Sequence, residues 1–210
     1  IVFKDRKVYV QGAPGKAMSF DKLAKTACYS GSGAVIIGKG YSDYGIEPLD
    51  FERGAGMPGT SFSFTSQLTD VDVDMETGFV KCNEMIIAHD CGRPLNPINV
   101  EAQNQGAAIQ GMGQAMYEHF VMNRGRTMNP NLADYKMPLA MDIPKIEVID
   151  IITDDPTGPY GAKEASEGAH VSAPPSIASA IHAATGIWFK EQPITPEKIA
   201  LALRRKKEKQ

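Results

Sequence analysis

The 210-residue sequence predicts an α+β protein in which an antiparallel or mixed sheet carries packed helices. Three observations carry that prediction. Residues 60–74 and 79–88 have strand character and are joined by the turn Met75-Glu76-Thr77-Gly78, which makes an antiparallel hairpin. The stretches 99–120 and 172–184 repeat apolar side chains at helical spacing. Residues 143–152, IPKIEVIDII, return to strand alternation with Ile146, Val148 and Asp150 on one face.

Composition narrows the function classes. A hydrophobic fraction of 42% with 22% charged residues is ordinary for a chain that buries a core. The formal net charge of -3 gives no electrostatic case for nucleic acid. The basic run Arg204 to Lys207 reads as a solvated helix end. No apolar run reaches the ~18–20 residues of a membrane span. Cys28, Cys82 and Cys91 are widely spaced and form no CxxC, which argues against a disulfide framework, a zinc site or an iron–sulfur site. All three read as small buried hydrophobes in a reduced, cytoplasmic compartment.

In chain order, residues 1–10 read as a hairpin turning at Asp5-Arg6. Ser19 is placed to cap a helix over Phe20 to Cys28. From Tyr29 to Gly59 the chain is rich in glycine, serine and proline (SGSG, GKGYSDYG, GAGMPG) and reads as one long irregular connection. A division into 1–59 and 60–210 follows. In the 60–74 strand, Phe62 and Phe64 share one face and Val71 and Val73 another, so a bulge near Leu68 is expected. Asp70, Asp72 and Asp74 alternate with valine and belong to a solvent face rather than to a metal site.

His89-Asp90-Cys91-Gly92 and the prolines after it form a rigid loop. Adjacent strand residues point to opposite faces, so His89 and Asp90 are not a dyad and His89 reads as structural. The helix 99–120 places Ile109, Met112, Met116 and Phe120 on one stripe, yet Gly106, Gly111 and Gly113 interrupt it. Helical glycines cost ~1 kcal/mol each against alanine, so close approach of another helix or of a flat ligand is implied. Gln103, Gln105, Gln110 and Gln114 add amides near the same surface, suited to reading a heterocycle edge. Asn123-Arg124-Gly125 is a turn, and 129–138 is irregular. The helix 172–184 takes Pro174 and Pro175 in its first turn and ends at Gly186. Trp188 and Phe189 read as a short strand, and Thr195 caps a last helix from Pro196.

The densest chemistry is Gly158-Pro159-Tyr160-Gly161-Ala162-Lys163-Glu164-Ala165-Ser166-Glu167-Gly168. It sets a lysine and two glutamates in a tight turn ahead of an apolar helix. On one helical turn Glu164 and Glu167 would share a face as a carboxylate pair, whereas an irregular loop would separate them.

VDMETG, HDCGRPLNP, QGAAIQGMGQA, LADYKMP and GAKEASEG, in that order, resemble the C-terminal part of the molybdenum-binding subunit of the xanthine dehydrogenase and aldehyde oxidase family. The resemblance spans nearly the whole chain and is most specific over 70–186. Within the family, DYKMP and DDPTGPYGAKEASEG are most similar to the large subunit of 4-hydroxybenzoyl-CoA reductase, although Ser166-Glu167-Gly168 departs from the final motif of many members.

The resemblance implies that the chain is a lobe of a molybdopterin-binding domain and part of a molybdenum-dependent oxidoreductase, inactive alone. Glu167 matches the family's active-site glutamate, which does not ligate the metal. It would take a proton in a hydroxylase or deliver one to the ring in a reductive dehydroxylase. Gln110 would hydrogen-bond the pterin, with Gly111 and Gly113 easing the helix's approach. Ala162, Lys163, Glu164, Ala165 and Ser166 would line the cofactor through backbone groups. Lys163 would tune Glu167, contact a phosphate or bind a loop carbonyl.

The implied cofactor is molybdopterin, as the cytosine dinucleotide, with molybdenum. Implied partners are the remainder of the molybdenum subunit, a 2Fe-2S subunit and an FAD subunit. The implied substrate is a small aromatic or heteroaromatic molecule, of the 4-hydroxybenzoyl-CoA type first and of the aldehyde or purine type second. A non-catalytic assembly lobe of such a complex is the other reading.

Overall fold

Two units make up the computed structural model, Ile1–Tyr44 and Gly45–Gln210. It describes residues 1–29, 31, 37–41 and 43–208. In the first unit, β1 (Val2–Lys4) and β2 (Lys7–Tyr9) form the expected antiparallel hairpin. Asp5 and Arg6 sit at φ of 50° and 55°, the left-handed pair whose twist suits a two-residue hairpin turn. Strand β3 (Met18–Ser19) adds to β2. Ser19 Oγ accepts from Lys22 N at 3.3 Å, which starts α1 (Phe20–Tyr29) where the sequence places it. No residue of α1 is buried, so Cys28 is exposed, contrary to the expectation of three covered thiols. Cys82 and Cys91 are buried as expected.

Residues 30, 32–36 and 42 of the expected irregular connection lie outside the described residues. The connection also contains a hairpin of β4 (Glu47–Asp50) and β5 (Ala55–Met57), a correction to the sequence reading. Asp50 Oδ1 accepts from the N–H groups of Glu52 and Arg53, both at 3.0 Å, to close the turn. Every residue of both strands is exposed, so no alternation marks them in the sequence.

The second unit is built on a three-stranded mixed sheet, ordered β10-β7-β6. Strand β6 (Thr65–Val73) runs antiparallel to β7 (Val80–His89), and β10 (Lys145–Asp150) runs parallel to it. Asp74 Oδ1 accepts from Glu76 N at 2.8 Å inside the tight β6–β7 turn. The expected bulge exists, but on the opposite strand. Asp70 pairs with Glu84 and Val71 with Cys82, so the extra residue is Asn83 on β7. Strand β6 therefore keeps one phase, with Phe62, Phe64 and Leu68 all exposed and Val71 and Val73 turned inward. The bulged Asn83 donates to the carboxylates of Asp70 at 3.1 Å and Asp72 at 3.0 Å. Among the described residues no group of three metal-ligating side chains occurs.

One face of the sheet is covered by α2 (Pro97–Met116) and α3 (Glu167–Thr185). The core joins Met85 and Ile87 of the sheet to Met112, Ile177 and Ile181, and to Ile199 of α4 (Pro196–Lys207). Asn96 caps α2 by accepting from Asn99 N at 3.3 Å, with Pro97 in the first turn. The helix ends four residues before the expected Phe120, because Tyr117 N and Glu118 N both donate to Gly113 O. Phe120 lies outside it and is exposed. Arg124 and Gly125, at φ of 48° and 78°, turn the short hairpin β8 (Met122–Asn123) and β9 (Arg126–Thr127).

Helix α3 begins five residues before the expected Ser172. Pro174 and Pro175 are thus interior residues, which leaves His170 O and Val171 O without helical donors. Gly186, at φ 68°, ends the helix as expected and donates to His182 O at 2.7 Å. Trp188 and Phe189 belong to no strand. Trp188 instead stacks on His182 with ring centroids 4.0 Å apart. Thr195 caps α4, accepting from Lys198 N at 3.4 Å.

Candidate functional site

The end of β7 fixes the site. His89 and Asp90 point to opposite sides of the extended chain, and each takes hold of the 161–165 segment. His89 is fully buried, with Nδ1 2.6 Å from Thr65 Oγ1 and Nε2 3.1 Å from Glu164 O. With Nε2 as the N–H, His89 donates to the Glu164 carbonyl and Nδ1 accepts from the threonine hydroxyl.

Asp90 faces the other way. Its carboxylate accepts from Gly92 N at 3.0 Å, from Thr153 Oγ1 at 2.6 Å and from Lys163 Nζ. Burial pushes the Asp90 carboxyl up, but Lys163, Thr153 and the Gly92 N–H outweigh it and hold the group below the ordinary aspartate range. Lys163 Nζ also donates to Phe62 O at 3.0 Å. Of the three roles open to this lysine, the loop-carbonyl contact is the one observed.

Between the two pins the backbones zip together. Arg93 N donates to Gly161 O and Lys163 N to Cys91 O, both at 2.8 Å, around a bridge between Gly92 and Ala162. Gly92 sits at φ 69°, and a Cβ there would meet Gly161 O at 2.3 Å. Arg93 also donates to Asp154 Oδ1 at 2.9 Å, tying down the preceding loop.

This clasp presents the start of α3. Glu167 is the first helical residue and is exposed. Its carboxylate joins no hydrogen bond or ion pair among the described residues. Glu164 is separated from it: it precedes the helix, and its Oε2 accepts from Ser166 N at 3.1 Å. The two glutamates therefore do not share a helical turn, and the paired-carboxylate arrangement is not formed. The backbone N–H groups of Glu164, Ala165, Glu167 and Gly168 donate to no described acceptor. Those of Glu167 and Gly168 belong to the first turn of a 19-residue helix, its partial positive end, and those of Glu164 and Ala165 lie in the segment that leads into it.

Beside the clasp, Cys91, Pro94, Asn99, Gln103, Ala162, Lys163 and Ala165 line a cleft of about 200 Å³. Of Gln103, Gln105, Gln110 and Gln114, Gln103 is the one that lines this cleft. Gln110 lies two helical turns further along the same face of α2 and is exposed. Between them, a Cβ on Gly106 would meet nothing within 4 Å. Gly111 and Gly113 point elsewhere. A Cβ on Gly111 would meet His170 O at 2.6 Å and Ala173 Cβ at 2.7 Å, and one on Gly113 would meet Glu118 Oε1 at 2.2 Å. Packing of α3 and of Glu118 accounts for these two glycines, the helix-packing alternative of the two that the sequence left open.

His89, Asp90, Thr65 and Thr153 are missing from the sequence-derived site. The signal for the first two was the strand alternation itself, used there only to reject a dyad. Burial pushes the Cys82 thiol up to about 12 and raises that of Cys91, so neither is a nucleophile at neutral pH.

The fold has known counterparts. A family model described as molybdopterin cofactor-binding domain matches residues 1–144. The probable hypoxanthine oxidase XdhD of Escherichia coli (strain K12) is 36% identical over 148 residues, covering 70% of this chain and 16% of that protein. The nicotine 6-hydroxylase large subunit of Paenarthrobacter nicotinovorans is 33% identical over 164 residues, covering 75% of this chain and 20% of that protein. The crystal structure of quinoline 2-oxidoreductase from Pseudomonas putida 86 superposes with a TM-score of 0.70 at 26% identity, over 97% of this chain and 25% of that one. Aldehyde oxidoreductase from Desulfovibrio gigas gives 0.70 at 27% identity, over 76% of this chain and 17% of that one. The chain thus spans only about a sixth to a fifth of the length of these curated relatives.

Proposed function

The chain belongs to the molybdopterin cofactor-binding domain family, and on that premise we propose that its 161–168 clasp is one wall of a molybdenum cofactor site with Glu167 as the acid–base group. The observation that carries this reading is the pairing of a free Glu167 carboxylate with open backbone donors at Glu164, Ala165, Glu167 and Gly168. Those donors fit a group rich in acceptor atoms and negative charge, as a pterin dithiolene with bound molybdenum is. The exposed amides of Gln103 and Gln110 fit the donor and acceptor edge of a pterin. Bound molybdopterin supplies a metal that exchanges the electron pair with substrate.

The chain's own residues do the rest. Within Ala162 to Ser166, the open N–H groups of Glu164 and Ala165 orient the cofactor. Gln110 reads its edge, with Gly106 rather than Gly111 or Gly113 leaving room beside it. Glu167 holds or releases one proton at its carboxylate while the substrate carbon gains or loses oxygen. The Asp90–Lys163 and His89–Glu164 pins keep that carboxylate in place.

For the substrate class, an aromatic or heteroaromatic ring is the first reading. The text of 134–138 and 154–168 favours reductive dehydroxylation of a 4-hydroxybenzoyl-CoA-type thioester. The names of the hypoxanthine, nicotine, quinoline and aldehyde relatives favour hydroxylation as the second. In both, the cofactor is the cytosine dinucleotide form, and an iron–sulfur partner and an FAD partner in the cytoplasm carry the electrons, away from the site in hydroxylation and toward it in reductive dehydroxylation. The test is the metal content and reactivity of the complex purified by a tag on this chain. Stoichiometric molybdenum with turnover of an aromatic or aldehyde substrate supports the proposal, and a metal-free complex contradicts it.

A further inference from the structure

Strand β6 ends the three-stranded sheet, and its outer edge pairs with no strand among the described residues. Nine residues long, free of proline and unbulged, it carries the text TSQLTDVDV, without a positive charge. Natural sheets blunt such edges with lysine, proline or a bulge unless something pairs with them. Here the bulge is on β7 and leaves the open edge regular.

The edge also has a wall. Helix α3 runs beside it, and Thr65, Ser66, Gln67, Leu68 and Thr69 face Ser172, Pro175, Ser176, Ser179 and Ala180 across a groove of about 450 Å³. Hydroxyl contacts hold the two sides in place. Ser172 Oγ donates to Gln67 Oε1 at 2.8 Å, and Thr69 Oγ1 lies 2.6 Å from Ser176 Oγ. The wall residues are all small or cyclic, so the groove admits a backbone rather than bulky side chains.

Hydrogen-bond direction completes the geometry. Asp90 N donates to Phe64 O, which makes Phe64 a hydrogen-bonded partner in the β6–β7 ladder. Alternation along an antiparallel pair then turns the N–H and C=O groups of Thr65, Gln67 and Thr69 to the open edge. Beside that edge, Phe64 and Leu68 are exposed on the outer face of the sheet at 71% and 61%.

We infer that this edge is a docking site for one extended strand, supplied by the part of the molybdenum subunit that lies outside these 210 residues. The inference rests on the proposed function and locates its assembly interface. The occupant follows from length: the curated relatives carry about four-fifths of their chain beyond the matched region. It follows also from position, because Thr65 at the start of the edge is bonded to His89 of the clasp. A strand added here brings the rest of the subunit to the cofactor wall. Main-chain hydrogen bonds to residues 65–69 supply the affinity, and an apolar side chain over Phe64 and Leu68 supplies the register.

The test is hydrogen exchange by mass spectrometry on the isolated chain and on the molybdenum-loaded complex. The amides of Thr65, Gln67 and Thr69 should slow at least ~100-fold in the complex. Gln67→Pro, which removes one outward N–H, should lower complex yield about tenfold or more relative to Gln67→Ala, which loses the same side-chain contact with Ser172 but keeps that N–H. Continued protection of the β7 amides in the isolated Gln67→Pro chain reports that it is folded. A complex that forms normally while these edge amides exchange as fast as in the free chain overturns the docking site and leaves the proposed function standing. Protection of the edge in a homodimer of the isolated chain also overturns it. A wild-type chain that never assembles with molybdenum overturns both.

Discussion

Lys163 Nζ and Asp90 Oδ2 form an ion pair beneath the loop that leads to Glu167, with only 7% and 11% of their side-chain surfaces exposed. The pair ties the end of β7 to the segment before α3, so the position of the candidate acid–base group depends on a contact four residues away from it. Removing one partner leaves a covered charge without its counterion. Lys163→Met should therefore cost about 3 kcal/mol in urea unfolding. Lys163→Met with Asp90→Leu should cost less than the two changes summed. Strict additivity would mean that the pair does not couple.

Acid should release the same clasp. The Asp90 carboxyl is held below its ordinary value in the folded chain, so the unfolded chain binds a proton there first as pH falls. Its contribution is fully present above the unfolded value of about 4 and is lost as pH drops through the lower folded value. Unfolding free energy measured from pH 6 to pH 3 should fall more steeply in the wild type than in Asp90→Asn. Parallel curves would remove Asp90 from the account.

Two glycines on one helix should respond in opposite directions. Gly111→Ala drives a methyl group against His170 O and Ala173 Cβ and should cost about 1–3 kcal/mol in thermal or denaturant unfolding. Gly106→Ala meets open space and should stabilise the isolated chain by up to ~1 kcal/mol. In the assembled enzyme Gly106→Ala should lower cofactor retention, since the same opening lies between Gln103 and Gln110.

Thiol labelling should divide the cysteines one against two. Cys28 is exposed, while Cys82 and Cys91 are buried with raised thiol values. Under native conditions one thiol should react with a maleimide rapidly, and the other two only on unfolding. Fast labelling of Cys91 would mean that the clasp opens.

Much of the fold is legible in the sequence because it rests on local rules. Asp5-Arg6, Met75–Gly78 and Arg124-Gly125 are turns by their own chemistry, and Ser19 and Thr195 cap helices by position. The misreadings share a different cause, tertiary contact. Pro174 and Pro175 look like first-turn residues, yet α3 begins at Glu167 because the clasp already sets the backbone there. The bulge in the long hairpin is real, but only cross-strand pairing assigns it to Asn83 of β7 rather than to a phase change near Leu68 in β6. Gly111 carries no mark that separates a helix neighbour from a ligand. The site divides the same way: Glu167 stands out as a carboxylate in a tight turn, whereas the partnership of His89 and Asp90 with residues about 75 positions away appears only once the chain is folded.

The most direct test of the central claim is steady-state turnover by the molybdenum-loaded complex carrying Glu167→Gln, with metal content measured on the same sample. The substitution keeps the shape and removes the ionisable proton. It predicts molybdenum occupancy equal to wild type with kcat lowered at least ~100-fold. Full turnover at full occupancy would contradict the assignment of Glu167 as the acid–base group.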